Sequence, residues 1–548
     1  MTGAEALLRV LGAMGVESIF ASPGSDWAPL WEALALQKPE FPRYISSRHE
    51  ETAVAMALGY AKATGKLPAV VLHTTVGSLH AAMLVRAALH ERVPMVVLAG
   101  ESMAFSEPPA QPVGRQWLRL LTDTGGPARL MEPCVKWSYG LNSAVILPQT
   151  IQRACQLAMA APKGPVFVSV PIELLVQTMA GDPPPAALPM APTANPAGIE
   201  QLARALGAAR NPVILTEEAG KDPRAVTELV ALAEALGAPV FDAWQPYYIN
   251  FPRDHALYGG VAAEDMAAVL KDADAILLVD AVAPWHPPSS IADKKTYVLG
   301  EDPLHSQLPY WGYRADLVLP GDTASSLAAL VKQLKASASR PFRKVVRQGL
   351  SVEASAVITT RWVARELNEI LPRDAILVDE TITHRLELVR IVDKLGAGGF
   401  YEASYGGLGA GLGLALGVKY AQPSRTVLIA IGDGAFHYNP VVASFGASQE
   451  HRLPILVLLF SNAGYLSQRN DVLNYYPQGA AARTQKFAGT TITPAPDYSA
   501  IARAYGGYGE KVEKPREVRA ALQRGFDAVA AGQLALIDLV LEPVSQAA

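Results

Sequence analysis

The sequence predicts an α/β protein of three doubly wound domains with mainly parallel sheets. Three observations predict it. Short runs of Val, Ile and Leu recur along the 548 residues without polar alternation, as strands covered on both faces require. Alanine-rich amphipathic stretches long enough for helices lie between them, the pattern of strand-helix-strand crossovers. Two segments unfit for either element divide the chain into three, within the roughly three to four domains this length allows.

In the first part, Leu67-Pro-Ala-Val-Val-Leu and Met95-Val-Val-Leu-Ala read as buried strands. Then Gly181-Asp-Pro-Pro-Pro-Ala-Ala-Leu-Pro-Met-Ala-Pro-Thr-Ala-Asn-Pro, rich in proline, can continue neither a helix nor a central strand and reads as a semi-rigid connector. Pro212-Val-Ile-Leu and Ala275-Ile-Leu-Leu-Val are strands of the second part. The polar, basic run beginning Lys335-Ala-Ser-Ala-Ser-Arg-Pro ends it, and Ala375-Ile-Leu-Val opens the third. The expected domains are 1–180, 190–338 and 355–548. No short tandem repeat is visible.

Half of the residues are hydrophobic, 18% are charged, and the formal net charge is -4. That balance supplies no basic stripe for nucleic acid and no strong acidic bias, so a small-molecule enzyme is expected. Two cysteines, Cys134 and Cys155, make no disulfide framework, and no Cys/His group has zinc spacing. A reducing cytoplasm is the expected compartment. No run reaches the roughly 18 apolar residues of a membrane span, and no export signal or anchor is expected.

The third part carries the most specific pattern. Thr426-Val-Leu-Ile-Ala-Ile reads as a buried strand running into Ile431-Gly-Asp-Gly-Ala-Phe-His-Tyr-Asn-Pro. Gly432 and Gly434 let backbone approach an anion closely, and the helix expected after them offers free N–H groups and a positive dipole end. Asp433 is a hard carboxylate between the glycines. Pro454-Ile-Leu-Val-Leu-Leu-Phe is a second buried strand delivering Asn462, 29 positions after Asp433, to the same sheet edge. There the Asn side-chain oxygen and a nearby backbone carbonyl, that of Gly464, can share an octahedral metal with diphosphate oxygens and water. Each piece alone has a plainer reading, since Gly-Asp-Gly is a common turn and Asn a common cap. Strand, Gly-Asp-Gly, helix, strand and Asn together point to a metal-diphosphate clamp.

In the first part, Ser47-Arg-His-Glu-Glu-Thr-Ala-Val-Ala-Met-Ala-Leu-Gly-Tyr sets two glutamates before a mostly apolar helix, so a carboxylate enters the core end of a helix start. This stretch and the clamp together resemble the thiamine diphosphate-dependent enzymes of the pyruvate decarboxylase and acetolactate synthase superfamily. Aligning His-Glu with that family selects Glu50 as the activating glutamate and leaves Glu51 an ordinary first-turn acid. The resemblance implies pyrimidine-binding, central and diphosphate-binding domains in that order, with thiamine diphosphate and Mg2+, or Ca2+ in its place, as cofactors. Metal ligands would be Asp433, Asn462 and the Gly464 carbonyl, with Gly432, Gly434, Ala435 and Tyr465 around the diphosphate. Tyr405-Gly-Gly-Leu-Gly-Ala-Gly-Leu-Gly-Leu-Ala resembles the stretch that receives the aminopyrimidine on a carbonyl, at Gly406, and props the bent cofactor on an aliphatic side chain, at Leu408. A glycine-rich helix packed closely on a neighbour is the plainer reading of the same residues, and both can hold. Asp379-Glu-Thr-Ile-Thr resembles the segment that assists the diphosphate, through Thr383. One departure is Ser461, where the family usually has a second Asn.

Other motifs resemble the benzoylformate decarboxylase branch over nearly the whole chain. Ala21-Ser-Pro-Gly-Ser selects Ser25 to bind a substrate carboxylate, and Leu72-His-Thr-Thr-Val-Gly selects His73 to move protons. Phe251-Pro-Arg-Asp-His-Ala-Leu-Tyr-Gly and Leu130-Met-Glu-Pro-Cys-Val-Lys-Trp-Ser-Tyr also fit, and Pro284-Trp-His-Pro-Pro places His286 as a second histidine. Histidines suit this work because they exchange protons near neutral pH, although each could also satisfy a buried carbonyl. His80, His90 and His437 are assigned structural roles. The stretch after Asn462-Ala-Gly-Tyr departs from the branch: Ser467, Gln468 and Arg469 would make the substrate wall polar, with Arg469 meeting an anionic group or standing in solvent. The resemblance thus implies non-oxidative decarboxylation of a 2-oxo acid to an aldehyde. The alternatives are an acetolactate synthase-like carboligase, disfavoured by Leu215-Thr-Glu-Glu-Ala-Gly-Lys where a flavin-binding glycine cluster would stand, and a non-catalytic homologue. A homodimer or homotetramer with active sites between subunits is expected, with no nucleic-acid or membrane partner.

Overall fold

The computed structural model describes residues 1–101, 123–179, 186–244, 246–262, 266–282, 294–306, 312, 314–334, 341–342 and 350–544. Among them are three six-stranded sheets in which every recorded strand pair is parallel. The first contains β1 (Ser18–Ser22), β2 (Arg43–Ser46), β3 (Ala69–Leu72), β4 (Met95–Glu101), β5 (Trp137–Gly140) and β6 (Pro165–Pro171), ordered β2-β1-β3-β4-β6-β5. The second contains β7 (Pro212–Thr216), β8 (Val240–Asp242), β9 (Tyr258–Val261), β10 (Ala275–Val279), β11 (Lys295–Gly300) and β12 (Leu317–Pro320), ordered β12-β11-β10-β7-β8-β9. The third contains β13 (Ile376–Glu380), β14 (Phe400–Glu402), β15 (Val427–Gly432), β16 (Leu456–Ser461), β17 (Tyr508–Val512) and β18 (Ala535–Val540), ordered β14-β13-β15-β16-β18-β17. The expected α/β architecture with parallel sheets is therefore present three times.

Strand order explains where chemistry can sit. In the first and third sheets the chain leaves the opening strand on one side for its second strand and returns on the other side for its third. This opens a crevice between β1 and β3, and another between β13 and β15, where loops diverge at the strands' carboxyl ends. Strands such as β3 and β16 are buried at every position, which accounts for their uniformly apolar sequence.

The chain forms two compact units. One comprises 1–190, 403–424 and 436–455; the other comprises 191–402, 425–435 and 456–548. The glycine-rich helix Gly411–Ala421 thus belongs with the first sheet, for a steric reason. It lies against the helix Glu50–Thr64, in which every residue from Thr52 to Lys62 is buried. A Cβ at Gly59 would stand 2.2 Å from the Leu414 carbonyl oxygen, and one at Gly417 would stand 2.0 Å from that of Met56. Two helices this close admit only small residues at the crossing, so the close-packing reading of this glycine run holds. Within that unit, Lys62 and Glu91 are both buried and pair with each other, which removes two otherwise uncompensated charges. In the other unit, Arg253 donates to the Val389 and Val392 carbonyls at 2.7 Å, joining the second sheet's connections to the third sheet's helices.

Candidate active site

In the first unit, Ser25 starts a single helical turn, Ser25–Trp27, just after β1. Trp27 is fully buried and donates its indole N–H to the Leu72 carbonyl at 2.8 Å, bolting this turn to the end of β3. The next residue, His73, caps the helix Thr74–His90, and Thr74 holds a left-handed φ of 34°, sparsely populated for a Thr. His73 Nδ1 lies 2.6 Å from Oδ1 of Asp26, a fully buried carboxylate. That hydrogen bond, opposed in part by burial, raises the His73 pKa above 6.5.

Glu50 opens the helix after β2, and His49 caps it by accepting the Glu51 N–H on Nδ1 at 3.2 Å. A Cβ at Gly77 would touch Glu50 Oε1 and His73 Cβ, each at 3.4 Å, so Glu50 and His73 converge on one glycine. Glu50 Oε2 lies 3.4 Å from His80 Nδ1, and the His80 ring stacks on His49 with centroids 5.5 Å apart. His80, given a structural role from sequence, is exposed and stands beside the candidate glutamate. Their ligand atoms could hold a metal ion, a grouping that sequence spacing did not show. Gly406 and Leu408 lie in the turn before Gly411–Ala421: a Cβ at Gly406 would stand 2.3 Å from that of Ala87, and its carbonyl accepts from Arg86 at 3.4 Å. Gly407 and Gly409 have φ of 137° and 117°, so this turn needs glycine. His437 is exposed at the end of the helix Asp433–Tyr438.

In the second unit, β15 ends at Gly432 and the next helix starts at Asp433, the strand-turn-helix expected from sequence. Asp433 is buried; its Oδ1 accepts the Gly434 N–H at 2.8 Å, while Oδ2 is buried with no hydrogen-bond partner among the described residues. Burial pushes its pKa up to about 6, even though the backbone amides of Gly434, Ala463, Gly464 and Asn462 favour the ionised form. Asn462 follows β16 and accepts the Gly464 N–H on its side-chain oxygen at 3.1 Å. Ala463 between them has a φ of 54°, uncommon for alanine. The Gly464 carbonyl oxygen is 3.9 Å from where a Gly434 Cβ would stand, and the Tyr465 ring is 2.8 Å from it, so Gly434 must lack a side chain. A Cβ at Gly432 would meet nothing within 4 Å, leaving that backbone open to a ligand. Ala435 is buried behind them.

Thr383 and Asn462 both line a cavity of about 790 Å³, together with Thr360, Arg361, His384 and Leu466. Ile382, beside Thr383, has a φ of 51°, a costly value for a β-branched residue. His384 pairs with the Thr360 hydroxyl at 2.7 Å and stacks on Phe460; burial pushes its pKa down to about 4, so it is neutral at physiological pH. Behind the clamp, burial raises Asp538 to about 7, a further push coming from the Asp433 charge. The fit to a metal is good on chemical grounds: a hard cation needs oxygen ligands, and this loop pair offers a carboxylate oxygen without a protein partner beside an amide oxygen and a carbonyl. A buried acidic oxygen left unmade costs free energy that a divalent ion would recover.

The structure thus gathers Ser25, Glu50 and His73 at the carboxyl edge of the first sheet, and Thr383, Gly432, Asp433, Gly434, Ala435, Asn462, Gly464 and Tyr465 at that of the third. His286 lies outside the described residues. Arg469 is buried, with its guanidinium 4.9 Å from the centre of the Phe487 ring, so the solvent-exposed alternative for it is overturned. Sequence reasoning missed Asp26, His384 and Asp538. The one signal for two of them was adjacency, Asp26 to Ser25 and His384 to Thr383; Asp538 had none, because an isolated polar residue carries no periodicity to betray its burial.

Comparison with known proteins identifies the family. The chain matches the thiamine pyrophosphate (TPP) enzyme N-terminal TPP binding domain over residues 1–117, the central domain over 199–330 and the C-terminal TPP binding domain over 384–539. It is 29% identical over 547 residues to benzoylformate decarboxylase of Pseudomonas aeruginosa, covering 98% of each chain. It is 24% identical over 546 residues to the acetolactate synthase isozyme 2 large subunit of Escherichia coli, covering 95% of this chain and 93% of that one. Among solved structures, the thiamine diphosphate-dependent 4-hydroxybenzoylformate decarboxylase of Rhodococcus jostii superposes with a TM-score of 0.83 at 26% identity over 99% of both chains. With all three domain models matched in order, the chain belongs to the thiamine pyrophosphate enzymes of the decarboxylase and acetolactate synthase family.

Proposed function

We propose that this enzyme decarboxylates an aromatic 2-oxo acid non-oxidatively to the aldehyde, releasing carbon dioxide and placing a proton where the carboxylate stood. The observation that carries this reading is the convergence of Glu50 and His73 on Gly77, next to the turn that presents Ser25. One carboxylate, one proton-exchanging imidazole and one hydroxyl are what activation, protonation and substrate orientation require. The benzoylformate decarboxylases among its relatives support the substrate class.

Asp433, Asn462 and the Gly464 carbonyl would hold Mg2+, or Ca2+ in its place, with Thr383, Gly432 and Gly434 against the diphosphate. Glu50 would hold a proton at the pyrimidine ring nitrogen, and Gly406 and Leu408 would support that ring. Bound thiamine diphosphate supplies a carbon nucleophile for the substrate carbonyl and an electron sink for the departing carboxylate. Ser25 would orient the carboxylate, and His73, with His286, would deliver the proton. A dimer or tetramer that completes its sites between copies, as the family resemblance implies, is part of the proposal.

The test is a panel of aromatic, aliphatic and acidic 2-oxo acids with thiamine diphosphate and magnesium, with products identified as aldehyde or hydroxyketone. Aldehyde from benzoylformate is the expected result, and Glu50→Gln should reduce turnover at least 100-fold. Hydroxyketone as the main product would establish the carboligase instead. A parent protein with no turnover on any substrate, and no rise in Tm with cofactor, would establish a non-catalytic homologue.

A further inference from the structure

The turn after β1 does more than present Ser25. Its three consecutive residues are placed differently: Ser25 is exposed at the carboxyl edge, Asp26 is fully buried against His73, and Trp27 is locked to the Leu72 carbonyl. Two glycines clear the space. A Cβ at Gly24 would lie 2.1 Å from His73 Nδ1, and one at Gly100 would collide with Asp26 Oδ2. Asp26 and His73 therefore occupy space that a side chain at either glycine would fill. Its Oδ2 is buried without a hydrogen-bond partner among the described residues, an arrangement tolerated where the other oxygen carries a strong contact.

We propose that Asp26 is a positioning residue for His73: it accepts the Nδ1–H, fixes the ring's tautomer and rotamer, and leaves Nε2 to exchange protons beside a carboxylate held at Ser25. An ionised carboxylate can only accept, so a hydrogen bond from neutral His73 must use the Nδ1 proton. Among the described residues, the charged groups facing His73 from neighbouring elements are Asp26 and, from the helix Glu50–Thr64, Glu50. The end of β4 presents Gly100 to Asp26, while its Glu101 lies beside Ser169 and Glu173. Both groups that face the ring are acidic and stabilise its protonated form, so His73 keeps a proton to higher pH than a free imidazole would.

The consequence for turnover rests on the decarboxylation reading, but the tautomer does not, and the test separates them. Histidine-selective 15N labelling of the full-length protein, with His73 assigned from the missing signal of His73→Gln, reads the tautomer and titration midpoint directly. The expected parent spectrum shows neutral His73 protonated at Nδ1, and Asp26→Asn moves its midpoint down by about one pH unit. In the same variant the acid limb of kcat/KM moves down equally and kcat falls at least tenfold, while the cofactor-induced rise in Tm is unchanged. Trp27→Phe is the control: it removes the indole bond, lowers Tm and leaves the midpoint in place. Neutral His73 protonated at Nε2 in the parent, a midpoint unmoved by Asp26→Asn, or an equal shift in Trp27→Phe would each overturn the proposal. A shifted midpoint in a protein that decarboxylates no 2-oxo acid upholds the positioning role and refutes the proposed reaction instead.

Discussion

Asp433→Asn in the cofactor-free protein should carry a pH signature opposite to that of an ordinary lost contact. Asp433 is buried and its pKa stands at about 6 against an ordinary 3.8, so the folded state binds its proton more tightly than the unfolded chain. Stability from this group is greatest below pH 3.8, is lost as pH rises towards 6, and stays lost above that. The full loss is about 3 kcal/mol at pH 7.5 and about half that at pH 5, from about 1.4 kcal/mol per pH unit between the two pKa values. Asparagine does not titrate, and whatever its buried amide costs is the same at both pH values. The variant should therefore gain about 1.5 kcal/mol on the parent between pH 5 and pH 7.5, or roughly 3–6 °C in Tm for a cooperative unit of about 200 residues. Asp538, raised partly by Asp433, would add in the same direction. The assay is differential scanning fluorimetry of metal-stripped parent and variant at both pH values, then with thiamine diphosphate and Mg2+. At 100 times its Kd a ligand of the native state adds about 2.7 kcal/mol, and only the parent should receive it. A pH-independent difference between the two proteins would refute the buried-charge argument. An equal cofactor-induced rise in both would refute Asp433 as a metal ligand.

Two further substitutions test the geometry elsewhere. Gly417→Ala puts a methyl group 2.0 Å from the Met56 carbonyl oxygen, so the helices must separate, at a cost of about 1–3 kcal/mol read as a lower urea midpoint; an unchanged midpoint would show that they do not pack this closely. Gly24→Ala displaces His73 from Asp26 by about 1 Å, and a roughly 100-fold fall in kcat/KM with unchanged circular dichroism is expected, because misplacement on that scale is costly to a reacting pair. Full activity in Gly24→Ala would remove His73 from the reaction.

What the sequence determined by itself was whatever short-range pattern encodes. Uniform apolar runs such as those of β3, β15 and β16 announce strands buried on both faces, and the glycines flanking Asp433, with Asn462 at the end of the next strand, announce the strand-turn-helix and following strand without any knowledge of their neighbours. The same holds for Glu50 at a helix start and His73 at a strand end, since strand and helix ends are local features. Tertiary structure alone decided which polar groups face one another. Asp26 and His73 stand 47 positions apart and meet only because β1 and β3 are neighbours in the sheet. His80 reaches Glu50 because the helices Glu50–Thr64 and Thr74–His90 pack together, and Arg469 is buried with its guanidinium over the Phe487 ring. The glycines of Gly411–Ala421 were visible in the sequence, but that they let this helix lie against Glu50–Thr64, drawing a segment from the last third of the chain into the first compact unit, was not. Periodicity records which face of an element is dry; it holds no record of which distant side chain shares that dry space.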